Sequence, residues 1–136
     1  MKINCVILNY NDASTVLELI NEIGGYQALD RIVIVDNAST DYSWEMLQTL
    51  KTKYAHVDLL RSEKNGGYGA GNNLGVRHAV NVNGADYVLI ANPDVKFSEA
   101  CVKRLAGVLS HHEELAVATA MMEDAAFGTQ KNGWKL

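Results

Sequence analysis

The sequence has a single proline, two cysteines and no run of lysine or arginine. Each scarcity excludes something. Two cysteines in 136 residues cannot form the disulfide framework of a small secreted domain. Cys5 stands in a strand pattern and Cys101 in a helical one, so both read as free, buried thiols in a reducing, cytoplasmic setting. With 16 acidic residues against 12 basic ones, a net charge of -4, the chain has no basic stripe with which to neutralise phosphates. A nucleic-acid partner is therefore not expected. No apolar stretch reaches spanning length: the N-terminal run is broken at Asn9, and the longest other run covers 115–122. Neither an export signal nor a transmembrane segment is expected.

What is present suits one soluble α/β domain. Hydrophobic residues make up 48% of the chain, enough for a core without staples. Short β-rich runs alternate with longer runs of helical period. Strands are expected at 3–8, 31–36, 57–60, 86–91 and 115–121. The second is almost wholly apolar and β-branched, which suits a parallel sheet covered on both faces. The helix after the first strand carries Ala13, Val16, Leu17, Ile20 and Ile23 on one stripe, with Thr15 and Glu18 in capping-box relation. Further helices are expected at 43–54, from the glycine-rich turn at 65–71 to about 82, and after Ser98. Residues 123–136 show no period and read as a loop or tail, which places the domain at 1–122. The alternation predicts a mostly parallel, Rossmann-like sheet with flanking helices.

Right-handed crossovers put every strand's C-terminal end on one edge, where open α/β sheets bind ligands. The polar residues collect there. Asn9, Tyr10, Asn11 and Asp12 follow the first strand, and Asp36, Asn37, Ser39, Thr40 and Asp41 end or follow the second. The run from Asn65 to Asn73 follows the third, and Asn92, Pro93 and Asp94 follow the fourth. Each group alone is an ordinary turn or cap. Four groups on one rim describe a nucleotide-diphosphate site. The carboxylate of Asp36 can accept from a base N–H or a ribose hydroxyl. The glycines at 66, 67, 69 and 71 let backbone approach a ligand and open a helix whose N-terminus favours an anion. Asp94 can hold Mg²⁺ or Mn²⁺ together with phosphate oxygens. A dinucleotide fingerprint is not present: Gly67-x-Gly69-x-x-Asn72 lacks the last glycine and follows the third strand, not the first. No Gly-Lys-Ser/Thr of a phosphate-binding loop occurs either.

Four segments resemble, in order and spacing, the consecutive motifs of family 2 glycosyltransferases, most closely the rhamnosyltransferase-like branch. They are Val6 to Asn11, Ile34 to Asp41, Asn65 to Gly75 and Leu89 to Val95. The resemblance implies a GT-A fold, a nucleoside-diphosphate sugar donor such as a dTDP- or UDP-sugar, a divalent cation (Mg or Mn), and transfer with inversion to a glycan or lipid-linked acceptor at the inner membrane face. By position, Asn9 and Tyr10 would line the nucleoside pocket, and Asp36 would hold the base with Asn37 and Ser39 beside it. Gly69, Asn72, Asn73 and Asn92 would face the donor, and Asp94 would ligate the metal.

Two departures stand out. Asn92-Pro93-Asp94 carries an amide where the family's motif has its first carboxylate. The family's general base also lies well beyond that motif, and the chain is expected to stop short of it and of the acceptor-binding half. Glu123-Asp124 reads as a loop pair, and no catalytic residue is assigned. His111-His112 reads as a helix end. Trp44 reads as helix packing, and Trp134 is left without a role. A non-catalytic nucleotide-sugar-binding module is the runner-up. A nucleotidyltransferase is the third reading; it would need a basic residue near the glycine loop, for which Lys64 is the candidate.

Overall fold

The computed structural model describes residues 1–124 and 128–130. The chain divides into two compact units, Met1–Glu99 and Ala100–Leu136.

In the first unit the order is β1 (Ile3–Asn9), α1 (Ala13–Ile23), β2 (Arg31–Asp36), α2 (Ser43–Gln48), α3 (Leu50–Lys53), β3 (Val57–Arg61), α4 (Tyr68–Asn81) and β4 (Tyr87–Ala91). The four strands form one sheet in the order β3-β2-β1-β4. Every neighbouring pair is parallel. Passing from β1 to β3, the chain steps one way across the sheet; from β3 to β4 it reverses and lands beyond β1. With right-handed crossovers, that reversal puts α4 on the face opposite α1–α3 and opens a crevice at the ends of β1 and β4.

The core follows from strand parity. Val6, Val33 and Val35 turn to one face and pack with Ala79 of α4. A Cβ on Gly71 would strike Leu8, and one on Gly75 would strike Val6, so these two glycines let α4 lie close on the sheet. Cys5, Ile7, Ile32 and Ile34 turn to the other face and are fully buried. Burial pushes the Cys5 thiol up to about 12, which leaves it a neutral, inert core group. Helices α1, α2 and α3 contact β1 and β3.

Local chemistry moves some boundaries. Asp12, not Thr15, stands at the N-cap of α1, and its own side chain makes no capping bond. The Thr15 hydroxyl donates to Asp12 Oδ1 at 2.7 Å instead of forming a capping box with Glu18. The helix expected over 43–54 is two short ones. At the junction Thr49 turns its hydroxyl back to the Met46 carbonyl, 2.7 Å away, a bond that competes with the helical ladder.

The second unit holds all but the first residue of α5 (Glu99–His111), then β5 (Met122–Asp124) and β6 (Gly128–Gln130). Two expectations are corrected here. The strand expected over 115–121 is not one: an apolar run becomes a strand only with a hydrogen-bonded neighbour, and among the described residues this stretch has none. Val117 and Met121 are instead 73% and 67% exposed. Conversely, Glu123 and Asp124 are not loop residues; they pair antiparallel with Thr129 and Gly128. Trp134 lies outside the described residues, as do 125–127 and the rest of 131–136 of the expected tail.

Candidate functional site

Parallel pairing aligns the last residues of three strands. Asn9 lies opposite Asp36, and Asp36 opposite Arg61, so all three share a face and a row. Asp36 is fully buried. A carboxylate there needs donors, and the chain supplies them. Asn9 Nδ2 donates to Oδ1 at 2.9 Å and the Ser39 hydroxyl at 2.6 Å. The Ser39 backbone N–H donates to Oδ2 at 3.2 Å, and Arg61 Nε lies 3.6 Å from the same oxygen. The Arg61 side chain is 45% exposed, and its guanidinium rests over the Trp44 ring at 5.1 Å.

The same atoms hold the two turns that follow β1 and β2. Ser39 Oγ accepts from the Asn11 N–H at 2.9 Å, and Asn9 Oδ1 accepts from the Asp12 N–H at 3.2 Å. Asn11 Oδ1 reaches across to the Thr40 N–H at 2.8 Å. Each turn contains one residue in the left-handed region: Asn11 at φ 51° and Ala38 at φ 59°. Asparagine visits that region readily; alanine does so at a cost.

Beyond these turns lies an open cleft of about 570 Å³ at the β1–β4 switch point, walled by Tyr10, Asn37, Tyr68, Asn92 and Asp94, with Leu8 in its lining. Asn37 is held by two hydrogen bonds. Its Nδ2 donates to Asn65 Oδ1 at 2.9 Å and to the Gly67 carbonyl at 3.3 Å. Its Oδ1 is buried with no partner among the described residues. Tyr68, the first residue of α4, donates its hydroxyl to Asn92 Oδ1 at 2.9 Å.

The structure thus brings Tyr10, Asn37, Asn92 and Asp94 together at one cleft and separates the other expected residues from it. Asn9, Asp36 and Ser39 form the buried network that shapes the two turns; Asp36 contributes nothing to the cleft lining. The reason is parity: Asp36 shares the face of Ile32 and Ile34, whereas Asn37, one residue on, lies with Leu8 beside Gly71 on the α4 side, where the cleft opens. Gly69 and Asn73 are exposed on α4. Asn72 is buried, with Nδ2 on the Tyr68 carbonyl at 3.1 Å and Oδ1 unpartnered among the described residues. None of the three lines the cleft. Sequence reasoning passed over Tyr68 and Arg61. Arg61 was legible as the end of the third strand, in phase with Asp36. Among the described residues no cluster of three or more His, Cys, Asp or Glu could hold a metal unaided. His111 Nδ1 contacts the Gly107 carbonyl at 2.8 Å, as a helix-end histidine does.

A parallel sheet whose polar loops converge on a switch-point cleft defines the class of α/β nucleotide-binding domains. Within it, the chain belongs to glycosyl transferase family 2, whose sequence profile it matches over residues 5–134. It is similar to the low-salt glycan biosynthesis hexosyltransferase Agl10 of Haloferax volcanii, 28% identical over 105 residues, covering 76% of this chain and 31% of the relative. The fold is that of the mannosyltransferase PcManGT from Pyrobaculum calidifontis, solved with GDP-Man and Mn²⁺ (TM-score 0.70, 19% identity, 80% of this chain and 32% of that one). It is also that of residues 1–349 of S. aureus TarS, solved with UDP-GlcNAc (TM-score 0.63, 23% identity, 83% and 32%). The chain therefore spans about a third of the length of these relatives. Among the described residues no helix is long and apolar enough to cross a membrane.

Proposed function

We propose that residues 1–122 are the donor-binding part of an inverting, nucleotide-sugar-dependent glycosyltransferase, and that the cleft seats the nucleoside diphosphate. The observation that carries this reading is the cleft itself. Its volume, about 570 Å³, is in the range of small-molecule sites. Its walls pair an aromatic ring, Tyr10, with a fixed acceptor, Asn37 Oδ1, that lacks a protein donor among the described residues. A base presenting an N–H would supply that donor, with Tyr10 against its ring. Asp36, Asn9 and Ser39 then act through the turns they hold, not by touching the base. The N-terminus of α4, which reaches the cleft through Gly67 and Tyr68, would lie on the diphosphate side, where a helix N-terminus favours negative charge; Gly69, Asn72 and Asn73 would act through that first turn and not from the cleft wall.

The donor set fits a divalent cation only in part. Asp94 is an exposed carboxylate at the cleft, and Asn92 beside it is an amide. One carboxylate is a sufficient protein share for Mg²⁺ or Mn²⁺ when the ligand's phosphates supply further oxygens. When bound, the cation would neutralise charge on the departing diphosphate. Uridine, thymidine and guanosine donors all offer a ring N–H to Asn37. The rhamnosyltransferase-like branch, a glycan or lipid-linked acceptor and work at the inner membrane face extend this reading.

Calorimetry with UDP, dTDP and GDP, and with their nucleosides, with and without Mn²⁺, tests it. Asp94→Ala should abolish the Mn²⁺-dependent gain in diphosphate affinity and leave nucleoside affinity unchanged. Equal losses for nucleoside and diphosphate would take Asp94 out of the cation's site, and no binding of any diphosphate would overturn the reading.

A further inference from the structure

Two residues of the cleft meet across it from different elements. Tyr68 opens α4, and Asn92 follows β4; their side chains are joined by one hydrogen bond, from the phenol hydroxyl to Asn92 Oδ1 at 2.9 Å. Tyr68 is 60% exposed, so packing does not hold its ring in place. The bond does. It also decides what Asn92 can offer. An amide has an acceptor end and a donor end, and either could face a ligand. With Oδ1 turned to the phenol, the amide plane is set, and Nδ2 is the end left without a protein partner among the described residues.

We propose, building on the donor-site reading above, that Tyr68 is a positioning residue that fixes Asn92 as a hydrogen-bond donor to the phosphorylated ligand and keeps its oxygen from the cation. A neutral N–H donor suits a diphosphate oxygen or a sugar hydroxyl. The rim then holds a cation through Asp94 and the ligand's own phosphates, and retains little cation when the ligand is absent. The amide at position 92 thus serves the ligand and not the cation. It grips ligand oxygens through a donor that works whether or not a metal is bound.

The test uses the full chain and the variants Tyr68→Phe and Asn92→Asp. Diphosphate affinity is read by calorimetry without metal, and Mn²⁺ affinity by electron paramagnetic resonance without nucleotide. Tyr68→Phe should lower metal-free UDP or GDP affinity by about 3- to 10-fold, the worth of one hydrogen bond, and leave uridine or guanosine affinity unchanged. Asn92→Asp should lower metal-free diphosphate affinity at least as far, because a donor becomes a like charge. It should also raise Mn²⁺ affinity in the absence of nucleotide. A third readout needs no ligand: the Asn92 side-chain amide resonance should move in Tyr68→Phe. Equal losses for nucleoside and diphosphate in Tyr68→Phe would make the ring a stacking wall and overturn the proposal. So would an unmoved Asn92 resonance, or an Asn92→Asp variant with no gain in Mn²⁺ affinity. A wild-type chain that binds no diphosphate would remove the donor reading and this one with it. Wild-type binding with an unaltered Tyr68→Phe would overturn this one alone.

Discussion

Strands β2 and β3 are joined at both ends by an arginine and an aspartate, and the two pairs could hardly differ more. At the N-terminal end, Arg31 of β2 meets Asp58 of β3 in two bonds, one of them Nε to Oδ2 at 2.9 Å. Asn83 Nδ2 adds a bond at 2.8 Å and His78 Nε2 a contact at 3.2 Å. At the C-terminal end the order is reversed: Asp36 belongs to β2 and Arg61 to β3, and they stand 3.6 Å apart. The first pair is complete in itself. Burial pushes the Asp58 carboxyl up, but hydrogen bonds from Arg31, Asn83 and His78, with the Arg31 charge, outweigh it and hold the group at about 2. The second pair is loose because Asp36 is already served by Asn9 and Ser39, which leaves Arg61 to lean on Trp44. At one end of the sheet the polar groups hold the fold. At the other they hold two turns and leave acceptors open.

The comparison can be broken from either side. The largest effect is expected from Asp36→Ala, which strips the acceptor from Asn9 and Ser39 in a buried place. Urea unfolding should show a loss of about 2–4 kcal/mol, and nucleotide affinity should fall with it as the turns loosen. A loss under about 1 kcal/mol would mean that the network does not hold the rim. Asp58→Asn should cost about 1–3 kcal/mol, with nucleotide affinity of the folded protein unchanged. A fall in affinity would show that the two ends are coupled. Asp58 also sets an acid limit. Its folded pKa is depressed below the unfolded value of about 3.9, so its stabilisation is complete above that pH and is lost as pH falls toward 2. Stability measured across that window should fall less steeply in Asp58→Asn than in wild type; equal slopes would remove Asp58 as a cause. Arg61→Met should cost least, about 0.5–1 kcal/mol, because the side chain is half exposed and its ion pair is long.

The sheet was legible because its two central strands, β1 and β2, are almost wholly buried. Continuous apolar runs such as Ile32 to Val35 leave little choice of structure, and the four parallel strands fall within a residue of their expected ends. The rim was legible as a set of loops, since right-handed crossovers alone place four strand ends together. Which residue of each loop faces the ligand was harder. Period-two phase could have assigned Asp36 to the face of Ile34, away from α4. Asn37 takes the other face, and the turn after it holds Ala38 in a conformation that alanine disfavours, which no propensity would suggest. The Tyr68–Asn92 bond joins residues 24 apart in sequence and follows from the position of α4, fixed in turn by Gly71 and Gly75. The error at 115–121 has a different origin: a strand is a property of two segments, and one segment's pattern cannot supply its neighbour.

Ala38 has a consequence of its own. A left-handed alanine costs about 1–2 kcal/mol relative to its preferred backbone, and it sits between Asn37, which faces the cleft, and Ser39, which ties the turn down. Glycine there would relieve that cost and give back part of it as unfolded-chain entropy, for a net stabilisation below about 1 kcal/mol. The same change would free the hinge on which Asn37 is aimed. Selection for heat resistance and selection for tight nucleotide binding should therefore pull this one position in opposite directions, and a library screened for each should separate there into glycine and alanine.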